Sequence, residues 1–251
     1  MKIFSDPNEI KNELKQFENV SVGFVPTMGA LHEGHLSLVE RSKKENEITV
    51  VSIFINPTQF DNKGDLENYP SLLKEDLKLL KKYEVDYIFT PDYNSLYPDD
   101  FKYKVDEDEF SHKLCGKSRD GHFTGVLTVV MKLLNIIRPN RVYFGEKDRQ
   151  QLQLIKNMTE AFFINVIIVS VPTVREDDGL AMSSRNIRLS KEERQIAGLF
   201  PKLLKTNSSD VEITEQLNNN GFKTDYIETL NGIRYGAVFL GNVRLIDNVE
   251  L

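Results

Sequence analysis

The sequence predicts an α/β fold: a parallel sheet with helices on both faces over residues 1–171, followed by a small C-terminal α+β domain over 172–251. Three observations predict it. Short β-prone apolar runs alternate with stretches of helical period through most of the chain, which is how parallel sheets with crossover helices are encoded. Polar, glycine-containing segments follow several of those runs. After Pro172 the alternation gives way to helices and then to closely spaced short strands.

The elements follow in order. Val20 to Val25 is apolar and β-prone, with Pro26 expected to stop it, and Leu36, Leu38 and Val39 open a helical pattern. Ile48 to Ile55 reads as a buried strand ending at Asn56-Pro57. Ser71 to Tyr83 is a helix with Leu73, Leu77 and Leu80 on one face and lysines on the others. Asp86 to Thr90 gives another strand, stopped by Pro91, and Lys102 to Val105 suggests a short one. Phe123 to Ile137 has helical period with apolar residues over much of its surface, so it reads as a buried helix ending before Pro139. Arg141 to Gly145 is a strand, Asp148 to Phe163 an amphipathic helix with Leu152, Ile155 and Phe162 near one face, and Val166 to Val171 a strand. Beyond Pro172, Ser190 to Lys205 and Val211 to Asn218 read as helices. Tyr226 to Glu228, Ala237 to Leu240 and Val243 to Ile246 read as strands, with Gly241-Asn242 suited to a hairpin turn.

Composition limits the function classes. Hydrophobic residues at 40% and charged residues at 28% suit a globular chain with a real core. A net charge of −6 argues against nonspecific nucleic-acid or anionic-membrane binding, so a polyanionic ligand needs a local basic site, for which Lys147, Arg149, Arg175, Arg185 and Arg188 are candidates. The sequence has neither a membrane-length apolar run nor a leader-like N-terminus, and a cytoplasmic location is expected. The single cysteine, Cys115, reads as a structural thiol.

The chemistry concentrates where strands end. In Pro26-Thr-Met-Gly-Ala-Leu-His-Glu-Gly-His35 the strand runs into two histidines three residues apart at a helix start. That spacing turns both imidazoles the same way, beside backbone N–H groups at the positive end of the helix dipole, where an anion meets several donors. Gly29 and Gly34 allow close backbone approach. The spacing is not the i, i+4 pair of zinc proteases, so metal ligation by the histidines is not expected. In open parallel sheets ligands bind outside the C-terminal strand ends. Pro26 to His35, Asn56 to Phe60, Gly145 to Gln151 and Val174 to Arg185 each follow a strand and are expected to share a crevice. His112 and His122 read as structural hydrogen-bonding residues.

These segments together resemble a known family. Pro26 to His35, Phe54-Ile-Asn-Pro-Thr-Gln-Phe60, Phe144-Gly-Glu-Lys-Asp-Arg-Gln-Gln151 and Val171 to Asn186 match the pantothenate synthetases (pantoate–β-alanine ligases) in wording, order and approximate spacing, as does the tail Ala237 to Asn248. The His-x-x-His pattern alone indicates only the broader nucleotidyltransferase superfamily. The resemblance implies a Rossmann-like first domain binding ATP and pantoate, a C-terminal lid, and ATP-dependent condensation of (R)-pantoate with β-alanine through a pantoyl adenylate. It implies ATP contacts at Met28, Gly29, Ala30, Leu31, His32, Glu33, Gly34 and His35, at Gly145, Glu146, Lys147 and Asp148, and at Val174, Met182, Ser183, Ser184 and Arg185. Among these it implies catalytic roles for His32, His35 as proton donor, Lys147, Ser183, Ser184 and Arg185. Pantoate is assigned to Gln59 and Gln151, and β-alanine to Gln59. Mg2+ is expected to be held mainly by ATP phosphates, with no dedicated protein site, and the assembly to be a homodimer.

Glu75 and Asp76 match acidic positions of the family but read as a solvated helix face, and Arg149 is expected to point outward. Asp120 and Thr124 are less familiar choices in their segment, and the C-terminal domain looks short between Thr229 and Ala237. Two other functions share the histidine turn: a nucleotidyltransferase that moves AMP or CMP to a phosphorylated acceptor, and a nonenzymatic ATP-binding regulator. Gln59, Gln151 and the Met182 to Arg185 segment favour the ligase.

Overall fold

The computed structural model describes residues 1 to 17 and 19 to 251. Contacts divide them into two compact units: Met1–Glu146 with Gln150–Val171, and Lys147–Arg149 with Pro172–Leu251. The first unit holds a parallel sheet of six strands: β1 (Lys2–Phe4), β2 (Val22–Thr27), β3 (Ile48–Ile53), β4 (Tyr87–Phe89), β5 (Arg141–Gly145) and β6 (Ile167–Val171), in spatial order β1-β4-β3-β2-β5-β6. Its helices are α1 (Pro7–Leu14), α2 (Glu33–Glu45), α3 (Lys63–Glu67), α4 (Leu73–Lys82), α5 (Tyr93–Leu96), α6 (Cys115–Ser118), α7 (His122–Ile137) and α8 (Arg149–Ala161), whose first residue groups with the second unit.

The chain order fixes where a ligand can enter. From β2 the sheet grows outward through β3 to β4, then the chain returns to β5 on the other side of β2, making β2/β5 the switch point where open α/β sheets bind ligands. The strands part there. β2 pairs with β5 only at Gly23 and Phe24, although β2 continues beside β3 to Thr27 and β5 beside β6 to Gly145. The strand ends that carry the histidine turn and Gly145 are therefore not paired with each other.

That parting also explains why Pro26 does not end β2, as its residue type suggests. Val22 bonds on the β5 side, taking the Asn140 N–H at 2.8 Å, and Thr27 bonds on the β3 side, taking the Phe54 N–H at 3.1 Å. By alternation Pro26 faces the β5 side, where pairing has ceased, so its missing N–H breaks no ladder bond. Under the sheet, Val25, Val39, Val51, Leu80, Ile88 and Tyr143 form a buried cluster.

Other expectations shift. Lys102 to Val105 is not a strand: Asp100 and Phe101 take left-handed backbone angles, and Asp99 accepts the Tyr103 N–H in a loop. Beyond the expected elements, β1 and α1 open the fold, with Asp6 capping α1 ahead of Pro7. In α4 the buried positions are Asp76 and Leu80, whereas Leu73 is exposed, and Phe162 lies past the end of α8 and is exposed.

The second unit has an antiparallel sheet, β7 (Lys223–Leu230), β8 (Ile233–Leu240) and β9 (Val243–Glu250), with α9 (Lys191–Ala197), α10 (Leu199–Leu204) and α11 (Asp210–Asn219). Ala197, Phe200, Leu204, Ile213, Leu217, Val238 and Leu245 share its core. The Gly241-Asn242 hairpin forms as expected. A second hairpin at Asn231-Gly232, both with positive φ, lets β7 and β8 run far longer than the short strands expected, and fills the region that looks short in the sequence.

Candidate active site

The histidine turn is built from backbone conformations that only a few residue types adopt cheaply. Gly29 and Ala30 both have positive φ, at 83° and 50°. A Cβ on Gly29 would lie 3.0 Å from Asp76 Oδ2 and 3.1 Å from Ile53 Cγ2, so the positive φ favours glycine and a side chain would also press tightly on both neighbours.

His32 is the N-cap of α2. Its Nδ1 accepts the Gly34 N–H at 3.1 Å, while His35 Nδ1 accepts the His32 N–H at 3.4 Å. The imidazoles thus cap the helix themselves, and their ring centroids are 4.1 Å apart. A nitrogen that accepts carries no proton, so each neutral ring carries its proton on Nε2. This corrects the picture of open backbone donors: the Gly34 N–H is used by His32, and the donors the rings themselves bring to the turn are their Nε2–H groups.

Asp76 does not lie on a solvated face, as the charge pattern of its helix suggests. It is 1% exposed, and its two oxygens accept the Ala30 N–H at 2.9 Å and the Leu31 N–H at 2.8 Å. Burial pushes its carboxyl above the usual aspartate range, against the opposing pull of the Leu31 and Ala30 amides. The sequence signal is a carboxylate at i in register with buried Leu80 at i+4. Asp76, Met28, Gly29, Phe54, Leu73 and Tyr93 are among the residues lining a cavity of about 340 Å³ beside the turn.

Gln59 is held by a chain of hydrogen bonds. Tyr97, its hydroxyl pushed up to about 12 by burial, remains protonated and donates to Asn56 Oδ1 at 2.9 Å. Asn56 Nδ2 donates to Gln59 Oε1 at 3.0 Å, and Gln59 Nε2 donates to Met28 Sδ at 3.1 Å. His122 Nδ1 donates to the Gln59 carbonyl at 2.7 Å, and its Nε2 then accepts from Arg119 Nη1 at 3.0 Å, which fits its expected structural role. Gly125 in α7 is needed because a Cβ there would strike the Thr58 carbonyl. Asn56 lies in a segment the sequence marks, but the parts played by Tyr97 and Arg119 carry no signal in the sequence alone. Gln151 is half-buried on α8, Gly145 ends β5, and Glu146 follows it.

In the second unit, Met182 N–H donates to Val174 O at 3.0 Å, next to a bridge between Arg175 and Ala181. Ser183 Oγ accepts the Arg185 N–H at 3.2 Å, and Ser184 is buried. Asn186 Nδ2 donates to Glu176 Oε1 at 2.9 Å, and Arg194 joins Glu176 at 2.6 Å and Asp178. Among the candidate cations, Arg175 makes a two-pronged pair with Asp247 at 2.6 and 2.9 Å, and Arg149 pairs with exposed Glu250 at 2.7 Å. Lys147 Nζ is 3.7 Å from Asp148 Oδ2, and its carbonyl accepts from Asn248 Nδ2 at 3.0 Å.

Known proteins resemble the chain along its whole length. The family model Pantoate-beta-alanine ligase matches residues 2–250. A pantothenate synthetase of Bdellovibrio bacteriovorus is 48% identical over 250 residues, covering 100% of this chain and 99% of that one, so the C-terminal region is not shortened relative to it. One from Coxiella burnetii is 49% identical over 235 residues, covering 94% and 91%. The crystal structure of a Francisella tularensis pantoate-beta-alanine ligase complexed with beta-gamma ATP and beta-alanine superposes with a TM-score of 0.96 at 42% identity, covering 100% of this chain and 97% of that one. A pantothenate synthetase of Thermus thermophilus gives 0.91 at 38% identity, covering 100% and 99%. The chain belongs to the pantoate-beta-alanine ligase family.

Proposed function

We infer that the chain catalyses the reaction its family is named for, ATP-dependent condensation of (R)-pantoate with β-alanine, and that it does so on the His32–His35 turn. The observation that carries the site assignment is the self-capped imidazole pair at the β2/β5 switch point, whose caps fix the tautomer and make each Nε2–H a donor.

The pantoate carboxylate attacks the α-phosphorus, forming a P–O bond as the bond to pyrophosphate breaks. Negative charge grows on phosphate oxygens, and His32 and His35 donate to them, with His35 the proton donor. Lys147 adds a compact positive charge, and Ser183, Ser184 and Arg185 act from the second unit as a clamp of hydroxyl and guanidinium donors. Met28 through His35, Gly145, Glu146, Asp148, Val174 and Met182 complete the nucleotide site. Gln59 and Gln151 each present donor and acceptor to pantoate's hydroxyls and carboxylate. The β-alanine amine, placed beside Gln59, then attacks the acyl carbon, loses a proton, and AMP departs with the bond electrons.

Among the described residues no group of three or more His, Cys, Asp or Glu is arranged to hold a metal ion. Mg2+ would take its ligands chiefly from ATP phosphates and water, neutralising their charge. Residues 172–251 would serve as the lid over an ATP- and pantoate-binding domain of 1–171. A cytoplasmic homodimer is the expected setting. Among the described residues no helix is long and apolar enough to cross a membrane.

Purified protein given ATP, pantoate and β-alanine is expected to yield AMP, pyrophosphate and pantothenate. Formation of ADP and phosphate, or AMP release without pantoate, would contradict the reading.

A further inference from the structure

We propose that Asp76 is a positioning residue for nucleotide chemistry: its buried carboxylate holds the Ala30 and Leu31 amides and thereby sets where the His32 and His35 donors point. The inference rests on the role given above to the two imidazoles.

Three features isolate this carboxylate from an ordinary structural one. No cation pairs with it among the described residues, and the charge that acts on it is that of Glu75, which opposes ionisation. An unpaired carboxylate is a costly thing to bury, so its two backbone hydrogen bonds are what favour its presence. The turn it holds carries consecutive positive-φ residues, Gly29 and Ala30, a conformation that costs energy at the non-glycine Ala30, and the carboxylate takes the Ala30 N–H directly.

The turn also lacks firm packing on that side. Met28, Gly29 and Asp76 face a cavity of about 340 Å³. Without the carboxylate the Met28–Leu31 backbone has room to relax, and His32 follows Leu31 directly. Because the His32 cap and the His35 cap share one helix start, a shift there changes both Nδ1 acceptor bonds together, and with them the tautomer that places a proton on Nε2.

The chemistry of substitution separates the possibilities. In Asp76→Asn one oxygen becomes an NH2 group, which sets donor against donor at one of the two amides. Asp76→Glu keeps both acceptors at altered reach. The experiment measures pantoate-dependent ATP–pyrophosphate exchange and the imidazole 15N shifts of the chain's four histidines in wild type and both variants, with thermal unfolding to verify folding. For Asp76→Asn exchange is expected to fall by about 10²-fold, the order expected when reacting groups are misplaced by an ångström. The His32 and His35 shifts are expected to move from separate Nδ1 and Nε2–H positions toward averaged ones, with His112 and His122 unchanged. Asp76→Glu is expected to recover part of both signals.

Unchanged His32 and His35 shifts in a folded Asp76→Asn variant overturn the proposal, as does unchanged exchange. If Asn prevents folding, Asp76→Ala, which removes both acceptors without adding a donor, is judged by the same two readouts, and wild-type behaviour in both overturns the proposal. Absence of pantoate-dependent exchange in the wild type would instead remove the functional reading, and the imidazole shifts would then decide the role of Asp76 alone.

Discussion

The two loops assigned to the phosphates are held in opposite ways. The Met28–His35 turn is pinned by imidazoles capping their own helix and by a buried carboxylate with no cation beside it among the described residues. The Val174–Asn186 segment is framed by ion pairs: Arg194 with Glu176 and Asp178, and Arg175 with Asp247, with side chains of Arg194, Glu176 and Asp178 about one-third exposed. One loop is fixed by hydrogen bonds to backbone amides, and the other by ion pairs, of which those of Arg194 are partly screened by solvent while the Arg175–Asp247 pair is largely buried. That contrast suits a first loop that presents donors of fixed geometry and a second that acts as a clamp.

The largest effect should come from the donors themselves. His35→Ala and Lys147→Ala are each expected to lower kcat by roughly 10²-fold or more, since each removes charge stabilisation of the transferring group. Unchanged turnover in both folded variants would remove their roles.

Glycine substitutions separate the two loops next. Gly29→Ala and Gly179→Ala both place an L side chain at positive φ, 83° and 92°, and each is expected to cost about 1–2 kcal/mol in unfolding measurements. Only Gly29→Ala should also slow pyrophosphate exchange, because its Cβ meets Asp76, whereas the Gly179 Cβ finds nothing nearer than Pro201 at 3.9 Å. Equal losses of exchange would erase the distinction.

A smaller effect is expected of Arg194→Met, which leaves Glu176 and Asp178 without their guanidinium. About 1 kcal/mol of stability is expected to go, given the partial exposure, and added salt should narrow the gap from wild type.

The finest test is the sign of the pH dependence. The Arg194 hydrogen bond holds Asp178 below its ordinary value, so its ionised form stabilises the fold above about pH 3.8 and that contribution is lost as pH falls through the lowered value. Asp76 is raised by burial, so its ionised form costs stability above the raised value, and the cost vanishes as pH falls toward 3.8. On acidification the Tm advantage of wild type over Asp178→Asn should shrink, while wild type should gain on Asp76→Asn. Parallel trends would contradict the assignment of opposite environments.

Much of the scaffold is legible in the sequence because hydrophobic period and turn chemistry are local. Arg141 to Gly145 reads as a strand with its observed bounds, and Gly241-Asn242 as a hairpin. The differences arise where a distant contact overrides a local preference. Pro26 stays in β2 because β5 has diverged, a fact of sheet geometry that no window around Pro26 contains. Asp76 looks solvent-facing because burial of a carboxylate is rare, and its partners are backbone amides 45 and 46 positions away. The Asn231-Gly232 hairpin, by contrast, has a readable signal in its dipeptide. The motif residues can be named from wording, yet the Tyr97–Asn56–Gln59 relay that orients one of them is set by tertiary structure.

Pantoate-dependent exchange of labelled pyrophosphate into ATP, in the absence of β-alanine, tests the central claim most directly. It isolates adenylate formation, the step assigned to the histidine turn. Wild type is expected to exchange only when pantoate is present, with His35→Ala slower by roughly 10²-fold. Exchange that ignores pantoate, or that survives intact in a folded His35→Ala variant, would contradict the account.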